Sequence, residues 1–315
     1  MSRMRINAWL GLGLALFLTT AGCSKPSSGL PKVGFAQFTS TSSLDQLREG
    51  FVKGLADEGF VDGKTVEIDF QNAQSDAGTM SLVMQKLATS VDVVGLCSTQ
   101  ALQAAIKSVK DKPVIFCGVI DPVAAGAATA ISEPKPNITG VYNPFPVTEG
   151  VEMIHKFMPA VKKIGTLYDP SEPFFGGMHE EAKKACAKNG LEFIVVTVSS
   201  SNDIVTGMQA LKAKGVEAVL QLPSNTVNQG VDGQIKTAGN LGLPMFSLQP
   251  DQLEKGIVAT VGVDLEEAGA QAGRMAGKVL KGEKTAKFPL ETAKLQPIAT
   301  NPAAAKQFGI TLPAN

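Results

Sequence analysis

Tryptophan is almost missing from this 315-residue chain: the one Trp is Trp9, in an apolar run near the start. A cleft in the rest of the chain that stacks a ring on a ligand must use Phe or Tyr. Histidine is as scarce, with His155 and His179 alone. Both fall on amphipathic helical patterns and are expected to be solvated. The segment "MHEEAKK" (178–184) has no second His at the i+4 position and is not a zinc-protease helix. The four cysteines, at 23, 97, 117 and 186, make no CxxC and no Cys/His cluster, which argues against zinc and thioredoxin-like chemistry. GxSxG, GxxxxGK[ST] and GxGxxG are all absent. No catalytic residue, metal ligand or cofactor is therefore assigned, and no enzyme is expected. Charge of either sign is not in excess, with 29 basic and 29 acidic side chains. No basic surface for nucleic acid follows from that balance. Past residue 22 no apolar run is long enough to span a bilayer.

The first thirty residues do have a pattern. Arg3 and Arg5 precede an uninterrupted apolar run from Trp9 to Leu18. Ten residues rise about 15 Å as a helix, half of what a membrane span needs. Small residues follow, Thr19 to Gly22, and then Cys23. That is the layout of a secretory signal. Ala21-Gly22-Cys23 resembles the lipobox of bacterial lipoproteins, with Thr20 where Leu is usual. The resemblance implies cleavage before Cys23 and a diacylglyceryl, palmitoylated cysteine there. Ser24 to Gly29 reads as a flexible tether. Residues 1–22 carry two Arg and no acid, so the remainder holds 27 basic and 29 acidic side chains. The expected address is the extracytoplasmic face of a bacterial membrane, the periplasm if the cell is Gram-negative.

The clearest organisational signal is a repeat. "KVGFAQ" (32–37) returns as "KIGTLYD" (163–169). Gly34 and Gly165 are each followed 25 residues later by Gly59 and Gly190. Pro113 and Pro244 each stand 79 residues after the first glycine, an offset of 131 throughout. Between these markers, helical and strand patterns alternate in the same order. One β-α-β-α-β-α-β unit thus occurs twice. The predicted fold class is α/β, two doubly wound parallel-sheet lobes joined by a multi-strand hinge. The predicted division is a signal peptide at 1–22, a tether at 23–30, one lobe of 31–142 plus 251–285, and a second of 143–250 plus 286–315. Hinge residues are expected near Tyr142-Asn143, Gln249-Pro250 and Phe288-Pro289. Cys97 and Cys117, in the runs "VVGLCS" and "VIFCGV", read as buried small hydrophobes, with a disulfide as the alternative.

Doubly wound sheets bind ligands at the carboxyl ends of their strands. Those ends are polar here. In the first unit they carry Gln37, Thr39, Ser98, Thr99 and Asp121, and the following segment adds Tyr142. In the second they carry Asp169, Ser171, Glu172, Ser224, Asn225, Thr226 and Gln249, and Asp264 lies beyond. These are the candidate ligand-binding residues. Each is equally open to a role as a helix cap or turn former.

The chain resembles substrate-binding lipoproteins of ABC importers, in the family that includes tryptophan- and tyrosine-binding proteins. The segments that carry the likeness are 44–76, ending in "NAQSD", "VIDPVAAG", "PNITGV", "KIGTLYDPSEP", "PSNTV" and 259–282. Relatives often have Glu-His-Pro-Ala before the Leu-Asp of the first loop, whereas Ser40-Thr41-Ser42-Ser43 stand here. The resemblance implies a type I periplasmic binding fold, a monomer, capture of a small ligand between lobes, and delivery to a permease served by an ATPase. A buried ammonium needs acceptors and a buried carboxylate needs donors. The acids Asp121, Asp169, Glu172 and Asp264, with the hydroxyls and amides above, offer both. Phe38, Tyr142, Phe145, Tyr168, Phe174 and Phe175 offer apolar surface. An amino acid, aromatic or large and apolar, is the expected ligand. The alternative is a ligand-sensing receptor component that binds a small sugar or another polar solute.

Overall fold

The computed structural model describes residues 29–170, 172 and 175–312. The signal peptide, Cys23 and most of the tether lie outside the described residues, as do Ser171 and Phe174. Two six-stranded sheets organise the chain. The first unit runs β1 (Lys32–Gln37), α1 (Ser42–Asp57), β2 (Glu67–Asn72), α2 (Ala77–Ser90), β3 (Val93–Cys97), α3 (Thr99–Ser108) and β4 (Val114–Val119). A small antiparallel pair, β5 (Ala128–Ala130) and β6 (Glu133–Pro134), precedes β7 (Ile138–Tyr142). After α4 (Val147–Phe157) the second unit runs β8 (Lys163–Tyr168), α5 (Phe175–Lys188), β9 (Glu192–Thr197), α6 (Ile204–Ala213), β10 (Ala218–Gln221), α7 (Asn225–Gln229), α8 (Val231–Leu241) and β11 (Met245–Ser247). The chain ends with β12 (Ala259–Thr260), α9 (Leu265–Leu280), β13 (Glu291–Thr292), β14 (Ala299–Thr300) and α10 (Pro302–Gln307).

The strand orders are β13-β7-β4-β3-β1-β2 and β14-β12-β11-β10-β8-β9. All pairings within these two sheets are parallel except β12 with β14. Helices cover both faces, so the central strands are buried throughout: every residue of β3 and of β10 is. The repeat is visible in packing as well. A methyl at Gly34 would meet the Leu87 side chain of α2, and one at Gly165 would meet Leu211 of α6 and Val216 just beyond it. Gly59 and Gly190 both have positive φ, 90° and 68°, where the chain turns out of a helix toward the next strand.

Two of the predicted lobe boundaries move. β12 pairs with β11 in the second sheet, so the chain remains with that lobe beyond Gln249-Pro250. β13 pairs with β7 in the first sheet, so Phe288-Pro289 also lies inside a lobe. There the Thr139 hydroxyl serves the carbonyls of Phe288 and Pro289 at 3.1 and 3.2 Å. The crossings are 143–146, 261–264 and 293–298. The last two are hydrogen-bonded to each other, Asp264 N to Lys294 O at 2.9 Å and Gln296 N to Gly262 O at 2.8 Å. β12 and β13 have two residues each, too short for a periodic signal.

α9 returns from the second crossing to lie along α1. A Cβ on Gly50, Gly54, Gly269 or Gly273 would overlap the facing backbone carbonyl of Glu266, Ala270, Leu47 or Phe51. Bare backbone is therefore in contact along this seam. Lys53–Glu266 at 2.7 Å, Arg274–Asp57 at 3.2 Å and Lys281–Glu58 at 2.7 Å flank it. Cys97 and Cys117 are register partners on β3 and β4, and both are buried free thiols. His155 and His179 are half-buried rather than solvated.

Candidate functional site

A cleft is bounded by the segments that leave the carboxyl ends of strands in both sheets. Its first compartment, about 680 Å³, takes Ser42, Ser43, Leu44, Gln46 and Leu47 from the start of α1, Gly118 and Ile120 from the end of β4, and Glu172, Ser224 and Asn228 from beyond β8 and β10. Asn143, Val263 and Gln296 come from the three crossings, and Leu248 to Asp251 lie just past β11. A second compartment, about 860 Å³, is lined by Thr99, Gln103, Asp121, Tyr142 and, from α5, Met178 and Glu181. Ile120 and Phe145 border both and divide one from the other. No Lys or Arg lines either compartment among the described residues. The acids on the walls are Glu172 and Asp251 in the first and Asp121 and Glu181 in the second.

The sequence-predicted residues divide into wall and support. Glu172, Ser224 and Gln249 stand on the first compartment, and Thr99, Asp121 and Tyr142 on the second. Ser224 also caps α7, its hydroxyl accepting from Val227 N at 3.2 Å. Asp121 Oδ1 accepts from Val123 N and Ala124 N, both at 2.9 Å, and so shapes its own turn. The Tyr142 hydroxyl accepts from Thr292 Oγ1 at 2.9 Å and ties β7 to β13.

The rest lie behind the walls. Gln37 is fully buried, and its Nε2 donates to Thr39 O at 2.8 Å and Asp45 Oδ1 at 2.9 Å. This fixes the first loop against α1. Ser98 caps α3 with φ +97°, a conformation that costs a non-glycine residue about 1–3 kcal/mol. Asp169 is buried, and its Oδ2 accepts from Thr226 Oγ1 at 2.6 Å. Thr226 N donates to Glu172 Oε1 at 2.9 Å, so the loop after β8 is pinned to the start of α7. Asp264 caps α9 through Glu267 N at 2.9 Å, between the wall residues Val263 and Leu265. Ser171 and the Asn225 side chain are not described.

Sequence reasoning missed Asn143 as a binding candidate, and also Asn228, Leu248 and Gln296. Asn143 Oδ1 is buried and has no hydrogen-bond partner among the described residues. Asn228 lies inside a helical turn, where nothing in the sequence distinguishes it from a solvated amide. Its oxygen accepts from Gln221 Nε2 at 3.2 Å and Gln252 Nε2 at 3.3 Å. Gln252 is 3% exposed and sits in a turn 24 residues further along the chain.

Residues 32–315 match the family described as ABC transporter substrate binding protein. A protein of Clostridioides difficile called tyrosine-binding protein is 30% identical over 265 residues, which cover 82% of this chain and 75% of that one. The ligand-free, open structure of a substrate-binding protein from Clostridium difficile superposes with a TM-score of 0.84 at 32% identity, over 91% of this chain and 97% of that one. A streptococcal ABC domain in complex with L-Trp gives a TM-score of 0.72, also at 32% identity, over 90% of this chain and 96% of that one. With two repeated parallel-sheet units, three crossings and a cleft at the strand ends, the chain belongs to the ABC transporter substrate-binding protein family.

Proposed function

We propose that the protein captures a single amino acid with an aromatic side chain in the cleft between its lobes and hands it to a membrane permease driven by a separate ATPase. The observation that carries this reading is the chemistry of the first compartment. Its volume of about 680 Å³ is that of a small-molecule site. Glu172 and the unpartnered Asn143 oxygen are acceptors for an ammonium. Ser42, Ser43, Ser224, Asn228, Gln249 and Gln296 are neutral polar groups of the kind that hold a carboxylate. Leu44, Leu47, Phe145, Leu248 and Val263 give apolar surface for a ring. A wall without Lys or Arg among the described residues disfavours phosphorylated and doubly acidic ligands. The tyrosine-binding name of one relative and the L-Trp held by another support an aromatic side chain. The better superposition on the open relative, at the same identity, supports reading this conformation as the open one.

Among the sequence candidates, Glu172, Ser224 and Gln249 take the direct contacts in this reading. Thr99, Asp121 and Tyr142 border the second compartment. Gln37, Ser98, Asp169, Thr226 and Asp264 hold the loops that present the wall. The pattern at Thr20–Cys23 supports a lipid anchor at Cys23, which keeps the protein at its permease on the extracytoplasmic face. Mass spectrometry of the protein made in bacteria should find a lipidated cysteine at the mature N-terminus; an unlipidated terminus elsewhere contradicts the anchor. Calorimetric titration with the twenty amino acids and a panel of pentoses and hexoses tests the ligand class. Binding of Trp or Tyr is expected. Tight binding of a sugar with no amino-acid binding overturns the proposal.

A further inference from the structure

We propose that the second lobe recognises the ligand's carboxylate through two neutral amides, Asn228 and Gln249, whose NH2 groups are aimed into the cleft by a buried hydrogen-bond relay. This rests on reading the cleft as an amino-acid site. The relay begins at the backbone just past β11. Gln249 N donates to Ser247 Oγ at 3.0 Å, so the serine hydroxyl is already an acceptor. Its single proton goes to Gln252 Oε1 at 2.7 Å. A side-chain amide accepts only at its oxygen and donates only at its nitrogen. With its oxygen held by Ser247, Gln252 has its nitrogen committed to the other side. There Nε2 donates to Gln249 Oε1 at 3.1 Å and to Asn228 Oδ1 at 3.3 Å. Gln221 Nε2 donates to the same Asn228 oxygen at 3.2 Å.

Asn228 and Gln249 both line the first compartment, and both have their oxygens engaged from behind. What each has left for the cleft is its NH2 group. Turning Asn228 over would set its NH2 against the NH2 groups of Gln221 and Gln252, which leaves buried donors facing donors. Turning Gln249 over sets its NH2 against that of Gln252. Ser247, Gln252 and Gln221 are 0, 3 and 1% exposed, so water does not compete for the relay. The cleft gives these donors a purpose. Its walls have no Lys or Arg among the described residues, and its charged groups are carboxylates. A ligand carboxylate buried there needs N–H and O–H donors. The pair on the second lobe is oriented to supply them, while Glu172 and Asn143 supply acceptors for the opposite end. Gln252 and Ser247 are positioning residues: neither is on the wall, and both act through the groups that are.

The test compares L-tryptophan with tryptamine, which keeps the ring and, at pH 8, the ammonium, and lacks the carboxylate. Calorimetry at pH 8 gives both affinities for the natural protein and for Gln252→Glu. A carboxylate at 252 has no donor. It keeps the bond from Ser247 and is satisfied by Asn228 and Gln249 only if they turn their NH2 groups inward and present oxygens to the cleft. The natural protein is expected to prefer the acid by at least about a hundredfold. In Gln252→Glu that preference should shrink at least tenfold, with the melting temperature held within a few degrees. A general loss of structure lowers both affinities together, so an unchanged tryptophan-to-tryptamine ratio overturns the relay. If Gln252→Glu does not fold, Ser247→Ala, which frees Gln252 to turn, carries the same readout with the same two outcomes. If the natural protein binds none of the twenty amino acids, the reading of the site itself falls, and this inference with it.

Discussion

Asn143 leaves a carbonyl oxygen buried on the cleft wall with no partner among the described residues. An unmet buried acceptor costs about 1–3 kcal/mol, which a ligand N–H recovers on binding. Asn143→Leu should therefore leave the melting temperature unchanged or raised and weaken amino-acid binding by about tenfold or more, roughly 1.4 kcal/mol. Thermal unfolding and calorimetry on the same sample check both halves. Asp169 behaves differently because it lies behind the wall and takes the Thr226 hydroxyl. Asp169→Ala should also weaken binding about tenfold, but with a lower melting temperature, since α7 loses one of its two bonds to the loop after β8. The cysteines give a pH signature. Burial pushes Cys97 and Cys186 up to about 12 and Cys117 well above the ordinary thiol value. In the unfolded chain these thiols ionise near pH 8.5. Their contribution is therefore complete below that pH and is lost as pH rises toward 12. The melting temperature should fall between pH 9 and 11, and less steeply when all three are replaced by Ala. An equal slope in both proteins contradicts this account.

At the scale of elements, the seam between α1 and α9 sets backbone against backbone. A methyl at Gly54 or Gly273 overlaps a facing carbonyl, and neither backbone can yield without moving a whole helix. Gly54→Ala or Gly273→Ala should cost about 3 kcal/mol. Gly233→Ala, on α8 with nothing near the added methyl, should be neutral or stabilising by up to about 1 kcal/mol. Denaturant unfolding of the three variants decides. The seam's spacing is in the sequence at Gly50 and Gly54, but the partner glycines lie more than two hundred residues away. The two units and the succession of their elements along the chain were legible because a glycine under a helix and a glycine after a helix recur at one offset, whereas the order of strands within each sheet came from the structure. The lobe boundaries were less so. Gln249-Pro250 looks like a hinge because Pro opens a turn, yet the turn folds back into its own lobe and feeds β12. Of the residues that line the first compartment, Ser224, Glu172 and Gln249 were legible from strand ends. Asn143 and Asn228 were not, because what marks them is a missing partner in one case and two distant amides in the other.

At the scale of the molecule, three crossings join the lobes, and two of them are bonded to each other through Asp264–Lys294 and Gly262–Gln296. Lys294 Nζ also reaches Glu267 Oε1 at 3.0 Å, and that bond holds the Glu267 carboxyl below the usual carboxylate range. These two crossings are therefore expected to move together, and closure to be a rigid-body motion of one lobe toward the other. A ligand drives it only as far as it binds the closed form better than the open one. The first compartment draws its wall from both lobes, so a ligand that touches both has that preference built in. The direct test is solution scattering on the protein alone, with saturating L-tryptophan or L-tyrosine, and with glucose. The radius of gyration should fall with the amino acid and stay unchanged with the sugar. An amino acid that saturates the site by calorimetry and leaves the radius of gyration unchanged would contradict capture between the lobes.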